Sequence, residues 1–114
     1  MLVTALEPHF GPLMLTAGVS GWASADGKAA AFIGHCLTRF NRGDWGEMKY
    51  PDDIKDNDEA LRRKDGGRIL ASYDIPDDAP ACDDDRLWII CDGVGNQHLG
   101  ADFCYTTILW PSEY

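Results

Sequence analysis

The chain has few cations. Ten lysines and arginines stand against 19 aspartates and glutamates in 114 residues, a formal charge of −9, so it lacks the positive excess that holds a phosphate backbone, and nucleic acid is not an expected direct ligand. No apolar run approaches the ~20 residues that span a bilayer. The first residues carry neither the basic region nor the small-residue cleavage site of a secretory signal, which places the expected protein in the cytoplasm and away from membranes. Cys36, Cys82, Cys91 and Cys104 form no Cys-x-x-Cys pair, and no His-x-x-x-His accompanies them, which argues against zinc. Their irregular spacing reads as reduced, mostly buried thiols. Cys91 and Cys104, on strands expected to pair, leave one disulfide open as an alternative in an oxidising environment.

Catalytic signatures are also missing. The chain has no Gly-x-x-x-x-Gly-Lys-Ser/Thr, no Gly-x-Ser-x-Gly and no His-Glu-x-x-His. Gly93-Val94-Gly95 begins like a dinucleotide fingerprint, but His98 stands where the third glycine belongs and no helical pattern follows, so a flexible hairpin loop is expected. Asp83-Asp84-Asp85, with Asp77-Asp78 nearby, lacks the alternating ligands and turn glycine of a calcium loop and reads as solvated. His9, His35 and His98 supply Cys–His pairs only by coincidence of composition. No catalytic residue, metal or cofactor is expected.

What is present suits one globular domain over residues 1–114, with 45% hydrophobic and 25% charged residues. Met1–Thr16 holds two short apolar runs, Val3–Leu6 and Leu13–Leu15, broken by prolines and Gly11, and reads as short strands or an extended arm. From Asp26 onward, Phe32, Ile33, Cys36, Leu37 and Phe40 form a stripe at helical spacing. Arg39 and Arg42 suit its C-terminal end, and Gly43 stops it. A second helix is expected from Pro51 to Lys64, acidic at its start and basic at its end, with Gly66-Gly67 stopping it. Its apolar face is thin, Ile54 and Leu61 only, so it should lie on the surface.

Beyond Gly67 the period becomes alternating. Arg68–Ile75, Arg86–Val94 and Tyr105–Trp110 read as three strands of an antiparallel meander. Together these elements predict an α+β fold in which two helices pack on a three- to four-stranded antiparallel sheet. Charge is concentrated in the middle, with 14 acidic against 6 basic residues from Asp44 to Asp85. Gly43-Asp44-Trp45-Gly46 suggests a corner, the indole tucked against the helix end and Asp44 capping backbone amides. Tyr73, Trp88 and Trp110 read first as core or sheet-face aromatics.

Arg42-Gly43-Asp44-Trp45-Gly46, Asn57 with Leu61, Gly66-Gly67-Arg68-Ile69-Leu70-Ala71-Ser72-Tyr73, Leu87-Trp88-Ile89-Ile90 and Thr106–Tyr114 together resemble a family of small plasmid-related proteins carried by plasmids, phages and integrated mobile elements. The resemblance covers roughly residues 40–114. Loops 76–85 and 92–104 are longer here than in that family, which supplies no activity or catalytic residue to carry over. A mobile-element setting implies a non-enzymatic inhibitor of a host defence complex, such as a CRISPR effector or a restriction enzyme, acting by binding or by DNA mimicry. On that reading a basic partner surface meets Asp52, Asp53, Asp56, Asp58 and Glu59 of the second helix and Asp77, Asp78, Asp83, Asp84 and Asp85 of the next loop. Trp45, with Trp22 or Trp110, is a candidate aromatic anchor. An accessory binding module whose acidity only keeps it soluble is the alternative, followed by a small metal-dependent enzyme. A mimic should show a contiguous acidic face, whereas a merely soluble domain mixes the signs, and Arg62, Arg63 and Lys64 already weigh against mimicry.

Overall fold

Alternation beyond Gly67 has one outcome that organises the molecule: Ile69, Ala71 and Tyr73, then Leu87, Ile89 and Cys91, then Thr106 and Ile108, are all fully buried on one sheet face. The computed structural model describes residues 5–80, 82 and 84–114. Its strands are β1 (Leu13–Leu15), β2 (Arg68–Asp74), β3 (Arg86–Asp92) and β4 (Tyr105–Leu109), and its helices are α1 (Ala17–Ala25), α2 (Gly27–Asn41) and α3 (Pro51–Arg63). Short 3-10 turns cover Pro8–Phe10, Gln97–Leu99 and Pro111–Glu113. The class is α+β, as expected. No helix among the described residues is long and apolar enough to cross a membrane.

The meander is present, with β2 antiparallel to β3 and β3 to β4. The fourth strand corrects the expectation of a purely antiparallel sheet. β1 joins outside β4 in parallel, Leu13 beside Thr106 and Leu15 beside Ile108, giving the order β1-β4-β3-β2. No hairpin turn sets this pairing; the partners meet only after α1, α2, α3 and two strands have been placed between them.

A third helix is the second correction, since two were expected. α1 is built from Ala-Gly-Val-Ser-Gly-Trp-Ala-Ser-Ala, where only Val19 and Trp22 are buried, too narrow a stripe to announce a helix. Thr16 caps it by accepting the Val19 N–H at 3.3 Å. Asp26 then caps α2 through the Lys28 N–H at 2.8 Å. The expected stripe on α2 is the buried one, Ile33, Cys36, Leu37 and Phe40, apart from Phe32, which is half-buried. α1 and α2 share one core with the inner sheet face, where Phe40 packs on Phe10 and Trp22 on Trp110.

α3 stacks on neither face. It lies along the free edge of β2, where Asn57 donates Nδ2–H to the Leu70 carbonyl at 2.8 Å and accepts the Leu70 N–H at 3.2 Å. Asn57 is the buried residue of this helix, whereas Ile54, expected on its apolar face, is exposed. Lys64 rather than Gly66 takes the left-handed position directly after the helix, at φ +50°. Farther along the same edge, Ser72 donates its N–H to the Trp45 carbonyl and accepts the Glu47 N–H, and the Asp74 N–H reaches the Glu47 carboxylate. The edge is therefore closed to a further strand.

Candidate partner-binding face

The corner before α3 decides which candidate side chains reach solvent. Gly46 sits at φ +84°, and a Cβ there would lie 2.2 Å from the Ser72 carbonyl oxygen, so only glycine lets residues 45–47 run against β2. Asp44 accepts the Gly46 N–H at 3.1 Å and takes two bonds from Arg39, at 2.8 and 3.1 Å. Arg39 also bonds Glu47 at 2.8 Å and lies over the Tyr73 ring. The Arg39 hydrogen bonds hold Asp44 below the usual carboxylate range. Burial pushes Glu47 upward, but the Arg39 guanidinium and the Asp74 amide outweigh it and leave the carboxyl lowered.

Trp45 is 3% exposed and packs edge-on against Phe40, its indole N–H donated to Asp58 at 2.8 Å. It is the corner's pin, as the local string suggested, and not an exposed anchor for a partner. Trp22 and Trp110, the other proposed anchors, are each 8% exposed. Indoles this large are drawn into the core by the apolar area they remove from water.

The expected acidic set divides by surroundings. Asp52, Asp53 and Asp56 are exposed on α3, and no ion pair engages them among the described residues. Asp58 is occupied by Trp45. Glu59 is paired with both Arg62 and Arg63. Asp77 and Asp78 are exposed in the loop between β2 and β3, Asp85 is exposed beside β3, and Asp84 accepts the Ser112 hydroxyl at 2.8 Å. Asp83 lies outside the described residues. The loop is tied to α1 and the C-terminal turn, through Trp22 to the Pro80 carbonyl and Ser112 to Asp84. No hydrogen bond or ion pair joins it to α3 among the described residues.

The outer sheet face carries a feature that the local strings did not reveal. Ser72, Trp88 and Leu109 form one cross-strand row, Leu70, Ile90 and Thr107 the next, and Arg68, Asp92 and Tyr105 a third. Tyr114 crosses this face, edge-on to Trp88, with Arg68 over its ring and bonded to its hydroxyl at 2.7 Å. The C-terminal segment thus folds back on the body, and Ile90 on this face is 3% exposed. Between α3 and this face runs a cleft. One part, about 280 Å³, is lined by Met48, Asp53, Asp56, Asn57, Arg68 and Leu70. An adjoining part of about 390 Å³ extends past Leu70 to Tyr50, Arg86 and Trp88. The available signal was that Trp88 and Ile90 face away from Leu87, Ile89 and Cys91; a strand apolar on both sides marks a second covered face.

The buried thiols offer little nucleophilic chemistry. Cys36, Cys91 and Cys104 are buried and not disulfide-bonded, and burial pushes the Cys36 and Cys91 thiols up to about 12. His9 has a buried Nε2 with no hydrogen-bond partner among the described residues, and burial lowers its pKa. Among the described residues no three His, Cys, Asp or Glu side chains gather as a metal site. No protein-family model, curated protein or solved structure matches the chain.

Proposed function

We propose that the protein is a non-enzymatic cytoplasmic binding module that engages a basic protein surface through α3. The observation that carries this reading is the trio Asp52, Asp53 and Asp56, exposed on a helix held to the sheet by Asn57 and free of intramolecular cations among the described residues. Asp52 and Asp53 also favour the helix N-terminus, but Asp56 lies beyond the first turn and has no such role. A rigid helix presenting unpaired carboxylates steers a cationic partner and sets its register. Taken with the resemblance to plasmid-related proteins, the partner we favour is a defence complex with a basic nucleic-acid site, a CRISPR effector or a restriction enzyme, which the protein would inhibit.

A second reading rests on the mixing of signs. Arg62 and Arg63 neutralise Glu59 on α3 itself, and Arg68, Arg86 and Lys49 border the cleft, an arrangement that suits an accessory protein-binding module as well as a DNA mimic. Affinity capture from a host lysate with intact CRISPR and restriction systems, at low and high salt, separates the two. A stoichiometric, salt-sensitive nuclease complex, weakened by Asp52→Asn/Asp53→Asn/Asp56→Asn, supports the inhibitor. Recovery of no defence protein by folded bait leaves the accessory module.

A further inference from the structure

Asp53 and Asp56 stand one turn apart on α3 and both line the same cleft, whose apolar lining is Met48 and Leu70. The guanidinium groups that border it are committed elsewhere. Arg68 pairs with Asp92 at 3.2 Å and bonds the Tyr114 hydroxyl. Arg86 reaches Asp74 at 3.4 Å, the Glu47 carbonyl at 2.8 Å and the Ser72 hydroxyl at 3.0 Å. Lys49 lies 5.5 Å from the centre of the Tyr50 ring. Two carboxylates outside any ion pair among the described residues and an apolar lining, with Trp88 in the adjoining part that Asp53 also lines, therefore form a slot with a definite complement: a long side chain with an apolar stem and a cationic head.

We propose that this cleft receives an arginine side chain of a basic partner protein, an inference that rests on the basic-partner reading and assigns that partner a place to dock. Arginine fits better than lysine because its planar fork can bond two carboxylates while its face stacks on an aromatic ring. The fold makes that grouping once for itself, and a one-carboxylate version of it a second time. Arg39 lies 5.1 Å from the Tyr73 ring centre while bonded to Asp44 and Glu47, and Arg68 lies 5.2 Å from that of Tyr114 while paired with Asp92. In the cleft, Asp53 and Asp56 line one part, Asp53 and Trp88 the adjoining part, and the guanidinium is the part to be supplied.

The test is an NMR titration of the isotope-labelled full chain with N-acetylated, C-amidated tetra-arginine, and separately with tetra-lysine. Saturable shifts are expected at the Asp53, Asp56 and Leu70 amides and the Trp88 indole, with arginine binding the tighter. Asp53→Asn/Asp56→Asn should weaken tetra-arginine about tenfold or more. The charge-matched variant Asp65→Asn/Asp102→Asn should change it less than about twofold. All four positions are exposed, and unperturbed spectra away from the substitutions confirm folding. Equal binding of the two peptides, equal losses in the two variants, or shifts absent from the cleft would overturn the proposal. A partner captured in a salt-sensitive complex yet indifferent to Asp53→Asn/Asp56→Asn would overturn the cleft alone, whereas failure of the basic-partner reading would appear as no such capture at all.

Discussion

Asn57 pairs with both backbone groups of Leu70, giving its amide N–H to the carbonyl and taking the N–H on its Oδ1. One side chain thereby stands in for a neighbouring strand. The same contact fixes where the α3 carboxylates sit relative to the sheet.

Replacing Asn57 by Ala should cost about 2–4 kcal/mol, because two partly buried backbone groups lose their partners at once. Asn57→Asp should also destabilise, since a carboxylate cannot donate to the Leu70 carbonyl. Urea unfolding followed by circular dichroism measures both. A loss below about 0.5 kcal/mol for the alanine variant, the size of an ordinary surface change, would contradict the edge-sealing role.

Two glycines should respond in opposite directions. Gly46→Ala brings a Cβ against the Ser72 carbonyl in a left-handed backbone, with a cost of about 2 kcal/mol or more. Gly21 lies inside α1 with open space where a Cβ would go, and Gly21→Ala should stabilise by up to about 1 kcal/mol. Thermal melts of the two variants should bracket the parent.

The Arg39 cluster makes a specific pH prediction. Asp44 and Glu47 titrate below their ordinary values of 3.8 and 4.5, so the folded state binds fewer protons than the unfolded one just beneath that range. Their contribution is complete above about pH 5 and disappears as the pH falls through their lowered pKa values. His9, lowered from 6.5 by burial, has the same sign and begins to act earlier, below about pH 6.5. Arg39→Met should flatten the acid limb of a stability–pH profile, and His9→Phe should flatten the portion nearer neutrality. Unchanged slopes in both would refute these assignments.

Thiol labelling should be ordered by burial. Cys82 is half-buried, its Sγ near the Asp84 carbonyl, while Cys36, Cys91 and Cys104 are buried. Iodoacetamide at pH 8 should modify Cys82 first, with the other three following only on unfolding, as read by peptide mass spectrometry. Early modification of Cys91 would contradict its burial against the Phe10 carbonyl.

Much of the fold was legible in local chemistry. α2 and α3 begin and end within a few residues of their expected limits because caps, prolines and terminal charge act on adjacent backbone groups. The three meander strands showed themselves through alternation, which is the geometry of a pleated chain with one buried face. The Gly-Asp-Trp-Gly corner was readable for the same reason, its glycines and capping aspartate acting over a few bonds.

The site was far less legible. Asp52 and Asp58 look alike in the chain and both are exposed, yet only Asp58 holds the Trp45 indole. Asn57 reads as a polar interruption on a weak helix, and only the approach of α3 to the edge of β2 makes it the anchor. The parallel β1–β4 pair and the cleft beneath α3 arise in the same way, from residues dozens of positions apart. Periodicity and capping depend on neighbours within a turn or two, so composition and local order settled α2, α3, the three meander strands, the surface charge and the buried sheet face, but not α1, whose buried stripe is only Val19 and Trp22. Which carboxylates stay unpaired, which tryptophans are buried and where the cleft lies depend on packing between distant segments, and only tertiary structure decides that.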